Sequence, residues 1–129
     1  AYRPLIETGC YDVLMPDIKY AGGHEEIRRI AALAQTAGIE IAPHNPTGPV
    51  CHAHSVHLCA TIPNLLPLEV QFGETDRFFT LVTGHDLRFA RGAATLSAAP
   101  GLGNTIDEAG ARLTPWQPMP RPWLDPRLG

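Results

Sequence analysis

The sequence has no long apolar run, no cluster of basic residues and no phosphate-binding glycine loop. No stretch approaches the roughly 20 apolar residues that a membrane helix needs. The 10 Lys and Arg residues are interleaved with the 13 Asp and Glu residues, and the formal net charge is −3. We therefore expect neither a membrane nor a nucleic acid as partner.

Cysteine is scarce, with only Cys10, Cys51 and Cys59 in the chain. An odd number argues against a disulfide framework. Cys51 and Cys59 fall in one predicted helix, where their Cα atoms would lie about 12 Å apart. A disulfide tolerates about 7 Å at most, so we expect reduced thiols and a cytoplasmic location.

The sequence also has no initiator methionine and no secretion signal. It opens with Ala1-Tyr2-Arg3-Pro4, which lacks the charged-then-apolar pattern of a signal peptide. We therefore expect the chain to begin inside a longer polypeptide.

Apolar segments and amphipathic helices alternate between Tyr11 and Val70. The predicted order is strand, helix, strand, helix, strand, at Tyr11–Met15, His24–Ala37, Ile39–Ala42, Pro49–Thr61 and Leu65–Val70. This alternation predicts an α/β fold in which parallel strands are joined by right-handed crossover helices. Pro67 weakens the third strand because proline cannot donate a ladder hydrogen bond.

The pattern weakens after Phe72. Residues 81–91 are predicted to be irregular, and Pro100-Gly101-Leu102-Gly103 to be a turn. From Thr114 onward five of 16 residues are proline, which indicates an extended segment. We therefore divide the chain into an α/β part, residues 1–98, and an extended C-terminal arm, residues 99–129.

Each predicted strand has an ionisable residue at its C-terminal end: Asp17, His44 and Glu69. Equivalent ends of successive parallel strands meet at one rim, where α/β proteins place their chemistry. His44 suits a general base, and Asp17 suits a partner that fixes its tautomer. Glu69, if protonated, suits a donor to developing negative charge. The alternative is that each residue merely closes its strand.

Four potential metal ligands crowd the second helix: Cys51, His52, His54 and His57. His54 and His57 share a helix face, whereas His52 and His54 do not. Since no Cys-x-x-Cys or His-Glu-x-x-His pattern is present, packing against the sheet is favoured over a metal site.

A set of short motifs resembles one known family. In chain order they are Met15-Pro16-Asp17, Gly22-Gly23, Ala42-Pro43-His44-Asn45, Gly48-Pro49, Leu68-Glu69 and Pro100-Gly101-Leu102-Gly103. Their order and spacing resemble the last third of the mandelate racemase and muconate lactonizing enzymes of the enolase superfamily.

The resemblance implies a fold and roles for three residues. The strands would be the sixth to eighth of a modified TIM barrel, and the C-terminal arm would pack on a capping domain that this chain lacks. Asp17 and His44 would match the family's Asp–His dyad, and Glu69 the glutamate at the end of the last strand.

The resemblance also implies a reaction that begins with removal of the proton next to a substrate carboxylate. Mg²⁺ would hold the resulting enediolate, through ligands upstream of this chain. The loop after His44 most resembles that of acid-sugar dehydratases, so we expect a sugar-acid dehydratase. A racemase or epimerase of the same family is the alternative.

Alone, the chain is expected to be inactive, since it would lack the metal ligands and most of the barrel. We expect it to join the missing N-terminal portion or another chain, in a homo-oligomer. A non-catalytic fragment that pairs with another chain through its open sheet edges remains the second alternative.

Overall fold

The chain begins with a short helix, α1 (Arg3–Glu7), that leads into the first strand, β1 (Val13–Leu14). The computed structural model describes residues 2–71, 76–84 and 90–115, to which all the elements below belong. After α1 the chain turns at Gly9, whose φ of +65° is a left-handed conformation that glycine adopts readily.

Strand β1 pairs in parallel with β2 (Glu40–Ile41), and helix α2 (Gly23–Thr36) connects the two strands. The apolar positions of α2 that recur at helical spacing are all buried: Ile27, Ile30, Ala31 and Ala34. They join Leu14, Ile39 and Ile41 in the main hydrophobic core. The predicted strand–helix–strand order with parallel strands is therefore confirmed for this part of the chain.

Helix α3 (Pro49–Cys59) follows β2, and proline occupies its first turn as expected. Leu58, at 0% exposure, fixes α3 to the main core. Beyond α3, the Asn64 side chain donates to the carbonyl oxygens of Ile39 at 2.8 Å and Ala31 at 3.2 Å. Within the described residues, no helix has the length and apolar character needed to cross a membrane.

The predicted third strand is present only as a single parallel bridge between Leu65 and Ile41. The Leu66 amide donates to the Ile41 carbonyl at 2.8 Å, and the Glu69 amide to the Pro43 carbonyl at 3.3 Å. Pro67 lies between these two bonds and has no N–H to donate, so the ladder is interrupted. The segment still runs beside β2 and brings Glu69 to the same end as His44.

One face of this small sheet is open in the described part of the chain. Leu14 points towards the helices and is 5% exposed, whereas Val13 and Met15 point the other way and are 36% and 51% exposed. Tyr11, which shares their face, is also exposed. Parallel sheets normally have both faces covered, so this apolar face is typical of one that packs against further structure.

The second half of the chain forms an antiparallel unit. Helix α4 (Arg77–Thr80) leads into β3 (Val82–Gly84), which pairs with β4 (Asn104–Ile106), and α5 (Glu108–Arg112) follows. Phe78 and Val82 pack with Ala53 of α3 in a second small core. This core attaches the antiparallel unit to the helix that follows β2.

The antiparallel unit corrects two predictions. Residues 82–84 lie in a segment predicted to be irregular, and β4 and α5 lie in the segment predicted to be an extended arm. The turn through Gly101 and Gly103, both with positive φ, sends the chain back onto β3. The Asp107 side chain then accepts from the Gly110 amide at 3.0 Å and caps α5. Residues 116–129, most of the proline-rich tail, lie outside the described residues.

We predict that truncation of Ile27 in α2 destabilises the protein far more than truncation of Leu33 in the same helix. Ile27 is 0% exposed and Leu33 is 37% exposed. Ile27→Ala should lower the free energy of unfolding by about 2–5 kcal/mol. Leu33→Ala should lower it by less than about 1 kcal/mol. Urea denaturation followed by circular dichroism measures both; equal losses would contradict the assigned buried face.

We also predict that the free thiols differ in reactivity. Cys10 is exposed, whereas burial raises the pKa of the Cys59 thiol to about 11. At pH 8 only about one Cys59 thiol in a thousand is then ionised, and the thiolate is the reactive form. Iodoacetamide at pH 8, followed by peptide mass spectrometry, should label Cys10 well before Cys59. Labelling of Cys59 should accelerate as the pH approaches 11; a rate that does not change with pH would contradict this.

Candidate active site

Asp17 lies just beyond β1, where a parallel bridge joins it to His44 beyond β2. Its side chain is only 5% exposed. One carboxylate oxygen, Oδ1, accepts from the Lys19 backbone N–H at 2.7 Å. This short turn orients the other oxygen, Oδ2, towards the neighbouring strand end.

His44 is held beside Asp17 by both its backbone and its side chain. The His44 backbone amide donates to the Pro16 carbonyl at 3.2 Å. Nδ1 of the ring donates to Oδ2 of Asp17 at 2.9 Å, since a carboxylate can only accept. In the neutral imidazole Nε2 therefore carries a lone pair, and the ring is 42% exposed. This is the tautomer and orientation that a general base requires.

Glu69 completes the rim. Its Oε2 lies 4.0 Å from Nε2 of His44, too far for a direct hydrogen bond. The same oxygen accepts from the Asn45 backbone N–H at 3.2 Å. Glu69 is 39% exposed, so a small molecule can reach both its carboxylate and the His44 ring.

The structure thus brings together the three residues that sequence reasoning selected. A buried carboxylate orients an imidazole whose far nitrogen faces a second carboxylate across a short gap. Such a group can take a proton from a bound molecule and hold it while the buried Asp17 stabilises the charged ring. Tyr2 lies close enough to the site that burial and, after it, the Asp17 charge raise the pKa of its hydroxyl.

Two residues behind the rim were not selected from the sequence. The Asn45 and His52 side chains are both 0% exposed, and Nδ2 of Asn45 donates to Nδ1 of His52 at 3.0 Å. The available signal was the position of Asn45: an asparagine directly after a buried strand and a candidate catalytic histidine. Asparagine is mostly exposed in proteins, so an asparagine buried beside a candidate catalytic histidine needs a hydrogen-bond partner for its side-chain amide.

The other histidines near α3 contact one another or the backbone. Nε2 of His24 lies 2.9 Å from Nδ1 of His54, and Nδ1 of His57 donates to the Ala53 carbonyl at 2.8 Å. Burial, and after it the neighbouring His54 and His57 rings, lower the pKa of His24 below its usual value. His85 lies outside the described residues.

Among the clefts that the described residues form, two border helix α3, and neither of these two is lined by the rim residues Asp17, His44 and Glu69. The larger, about 610 Å³, is lined mainly by apolar residues that include Leu65 and Leu68. The other, about 550 Å³, lies between the loops that follow Asp17 and Asn45 and is lined by residues that include Lys19 and Thr47.

The enolase C-terminal domain-like family model matches residues 1–110, and the chain belongs to this family. It is 36% identical over 105 residues to D-xylonate dehydratase of Haloferax volcanii, covering 81% of this chain and 25% of the relative. It is 28% identical over 130 residues to D-galactonate dehydratase of Variovorax paradoxus, covering 97% of this chain and 34% of the relative. The chain therefore spans about a quarter to a third of the length of these curated relatives.

Solved structures agree with this family. A mandelate racemase/muconate lactonizing enzyme-like protein from Rubrobacter xylanophilus has a TM-score of 0.80 and 32% identity, covering 87% of this chain and 28% of that one. An enolase from Pantoea ananatis with bound D-gluconate and Mg has a TM-score of 0.75 and 27% identity, covering 90% of this chain and 28% of that one. A Burkholderia xenovorans protein is described as an L-alanine-DL-glutamate epimerase bound to magnesium and fumarate. It has a TM-score of 0.80 and 26% identity, covering 88% of this chain and 28% of that one.

The described residues do not themselves fit a resident magnesium ion. Among them, no group of three or more His, Cys, Asp or Glu side chains is placed to hold a metal. The buried Asp17 carboxylate already accepts from His44 and from the Lys19 amide. Hard cations prefer several oxygen ligands, and this rim offers instead an imidazole and carboxylates spaced for proton transfer.

We predict that Asp17 sets the tautomer of His44. In Asp17→Asn, the Lys19 N–H needs an acceptor at Oδ1, so the new amide nitrogen faces the ring and donates to Nδ1. His44 should then change from the Nδ1–H to the Nε2–H form. Two-bond ¹H–¹⁵N correlation spectra distinguish these forms.

His57 is the internal control, because its Nδ1–H donates to a backbone carbonyl and does not involve Asp17. Its signals should not change in Asp17→Asn. An unchanged His44 tautomer in that variant would contradict the hydrogen bond described here.

Proposed function

We propose that this chain supplies the proton-transfer residues of a sugar-acid dehydratase of the enolase superfamily. The observation that carries the proposal is the His44 ring: Nδ1 donates to the buried Asp17, and the half-exposed Nε2 lies 4.0 Å from Glu69. An imidazole held in one tautomer beside a second carboxylate suits removal of a proton next to a substrate carboxylate.

The proposed first step moves one proton. The α-proton of the sugar acid passes to Nε2 of His44, and the C–H electron pair becomes an enediolate with its charge on the carboxylate oxygens. Asp17 stabilises the imidazolium formed on His44. The enediolate then expels the β-hydroxyl, which takes the proton held by the His44 imidazolium and leaves as water; the enol that remains tautomerises to the 2-keto-3-deoxy acid.

Glu69 is proposed to donate to the developing negative charge. The Asn45 N–H on Oε2 leaves Oε1 as the oxygen that would carry the proton in this role. A protonated carboxyl can donate a strong hydrogen bond to an oxyanion. The half-exposed position of Glu69 gives a bound carboxylate room to reach it.

The residues of this chain are too few to account for the whole acceleration. A general acid and base contribute about 10² to 10⁴-fold, or about 3–5 kcal/mol. Enzymes typically lower their barriers by about 8 kcal/mol or more. We propose that Mg²⁺, held by residues outside this chain, supplies electrostatic stabilisation of the substrate carboxylate, and that the chain alone is nearly inert.

The open sheet face supports the proposal that this chain packs against further protein. Tyr11, Val13 and Met15 present apolar surface on the side opposite α2, and the matched relatives are about three times as long as this chain. We propose that this face packs against the remaining barrel strands, in the same polypeptide or in another chain. The assembled enzyme is proposed to be a homo-oligomer.

A racemase or epimerase is the second candidate, favoured by the structural likeness to the protein described as an epimerase. Both reactions begin with the same proton transfer, so the rim serves either. The product separates them: dehydration of a sugar acid gives a 2-keto-3-deoxy acid, whereas epimerisation returns an acid of the same mass.

We predict that His44→Asn lowers the dehydration rate of the intact protein by about 10² to 10⁴-fold, because the base is lost. The assay follows 2-keto acid formation from D-xylonate, D-gluconate and D-galactonate with Mg²⁺ present. The matched control is His57→Asn, the same substitution at a histidine whose Nδ1 donates to the Ala53 carbonyl of its own helix. It should keep the parent rate within about threefold.

The result that would sink the proposal is an intact protein that converts none of these acids. Retention of the parent rate by His44→Asn would remove His44 from the chemistry. Loss of the α-proton to solvent D₂O without formation of a 2-keto acid would favour the racemase or epimerase.

A further inference from the structure

We infer that Asn45 and His52 form a positioning pair that sets the spacing between His44 and Glu69. The inference rests on the proposed function for its effect on rate, but the pair itself is defined by hydrogen bonds and burial. Neither residue belongs to the exposed rim, so neither touches substrate; both act through the residues that do.

The pair is a hydrogen bond between two side chains with no solvent exposure. Nδ2 of Asn45 donates to Nδ1 of His52 at 3.0 Å. With Nδ2 as donor, Nδ1 of His52 must carry a lone pair. Removal of either side chain would take this hydrogen bond from a buried polar atom of the other, which is costly.

Asn45 connects this buried bond to the rim. Side chains alternate along an extended chain, so His44 faces the rim while the Asn45 side chain points back towards α3. The backbone N–H of Asn45 donates to Oε2 of Glu69 at 3.2 Å. A shift of the Asn45 side chain would therefore move both the amide that holds Glu69 and the backbone that carries His44.

His52 is itself fixed by aromatic packing. Its ring lies 5.4 Å from the Phe78 ring at an interplanar angle of 51°, and Phe78 packs edge-on against Phe79 at 5.1 Å. Phe78 belongs to the small core that joins α3 to the antiparallel unit. A series of contacts thus connects Glu69, through Asn45 and His52, to Phe78 in the second half of the chain.

Two substitutions at His52 separate the effect of its hydrogen bond on activity from the effect of its packing. Asn at position 52 keeps an acceptor close to the position of Nδ1 but loses the ring that packs on Phe78. Leu at position 52 keeps apolar bulk but has no acceptor for Asn45. If the hydrogen bond positions the rim, His52→Asn retains activity that His52→Leu loses.

In the intact protein, His52→Leu and Asn45→Leu should lower kcat by about 10 to 100-fold, since small misplacements of reacting groups have effects of this size. KM should stay within about threefold because the rim side chains that meet substrate are unchanged. His52→Asn should restore kcat to within about threefold of the parent. Ser55→Ala is the control: Ser55 is 1% exposed on the same helix, and its hydroxyl has no hydrogen-bond partner among the described residues.

A second readout does not depend on activity. Hydrogen exchange of the Asn45 amide, which donates to Glu69, should be at least tenfold faster in His52→Leu than in the parent or in His52→Asn. The Ile41 amide, which donates to the Asn64 carbonyl at 2.9 Å, corrects for any change in global stability. If Asn45→Leu does not fold, the two His52 variants decide.

Faster Asn45 exchange and lower kcat in His52→Leu, both restored in His52→Asn, support the positioning pair. If the parent protein has no dehydratase activity but Asn45 exchange is still faster in His52→Leu than in the parent, the pair is supported and the proposed function is rejected. Equal kcat losses in His52→Leu and His52→Asn would mean that His52 acts through the packing of its ring and not through its hydrogen bond, which would overturn the inference. Unchanged exchange and unchanged kcat in both Leu variants would overturn it as well.

Discussion

The candidate site depends on the register of two parallel strand segments. Val13 pairs with Glu40 and Leu14 with Ile41, and the same offset continues to the bridge between Asp17 and His44. The Nδ1–Oδ2 hydrogen bond of 2.9 Å joins residues that are 27 positions apart, the offset of the whole ladder. A slip of one residue would turn the His44 side chain to the opposite face of the sheet. The buried residues of α2 and β2 that hold the strand register therefore also hold His44 beside Asp17.

The sequence was sufficient to predict the parts of the fold in which local patterns and tertiary packing agree. Helix α2 has its apolar residues at helical spacing, α3 begins at a proline, and the strand ends carry Asp17, His44 and Glu69. The antiparallel unit was missed because β3 and β4 are three residues each and pair across a long connection. The Asn45–His52 bond was missed because it joins two side chains across different elements, which no periodicity reveals.

The chain belongs to the enolase superfamily, and the arrangement of its rim suits proton transfer. It spans about a quarter of the solved relatives. The described residues contain an imidazole, the carboxylate that orients it and a second carboxylate, and no group of three or more potential metal ligands placed to hold a metal. The uncovered sheet face agrees with the proposal that further strands complete both the sheet and the site.

A crystal structure of the intact protein with a bound, unreacted sugar acid would test the central claim most directly. The account predicts the α-carbon of the acid within about 3–3.5 Å of Nε2 of His44, with Nδ1 still bonded to Asp17 and the substrate carboxylate within reach of Glu69. A sugar acid bound with its α-carbon remote from His44, or a His44 ring turned away from Asp17, would contradict it.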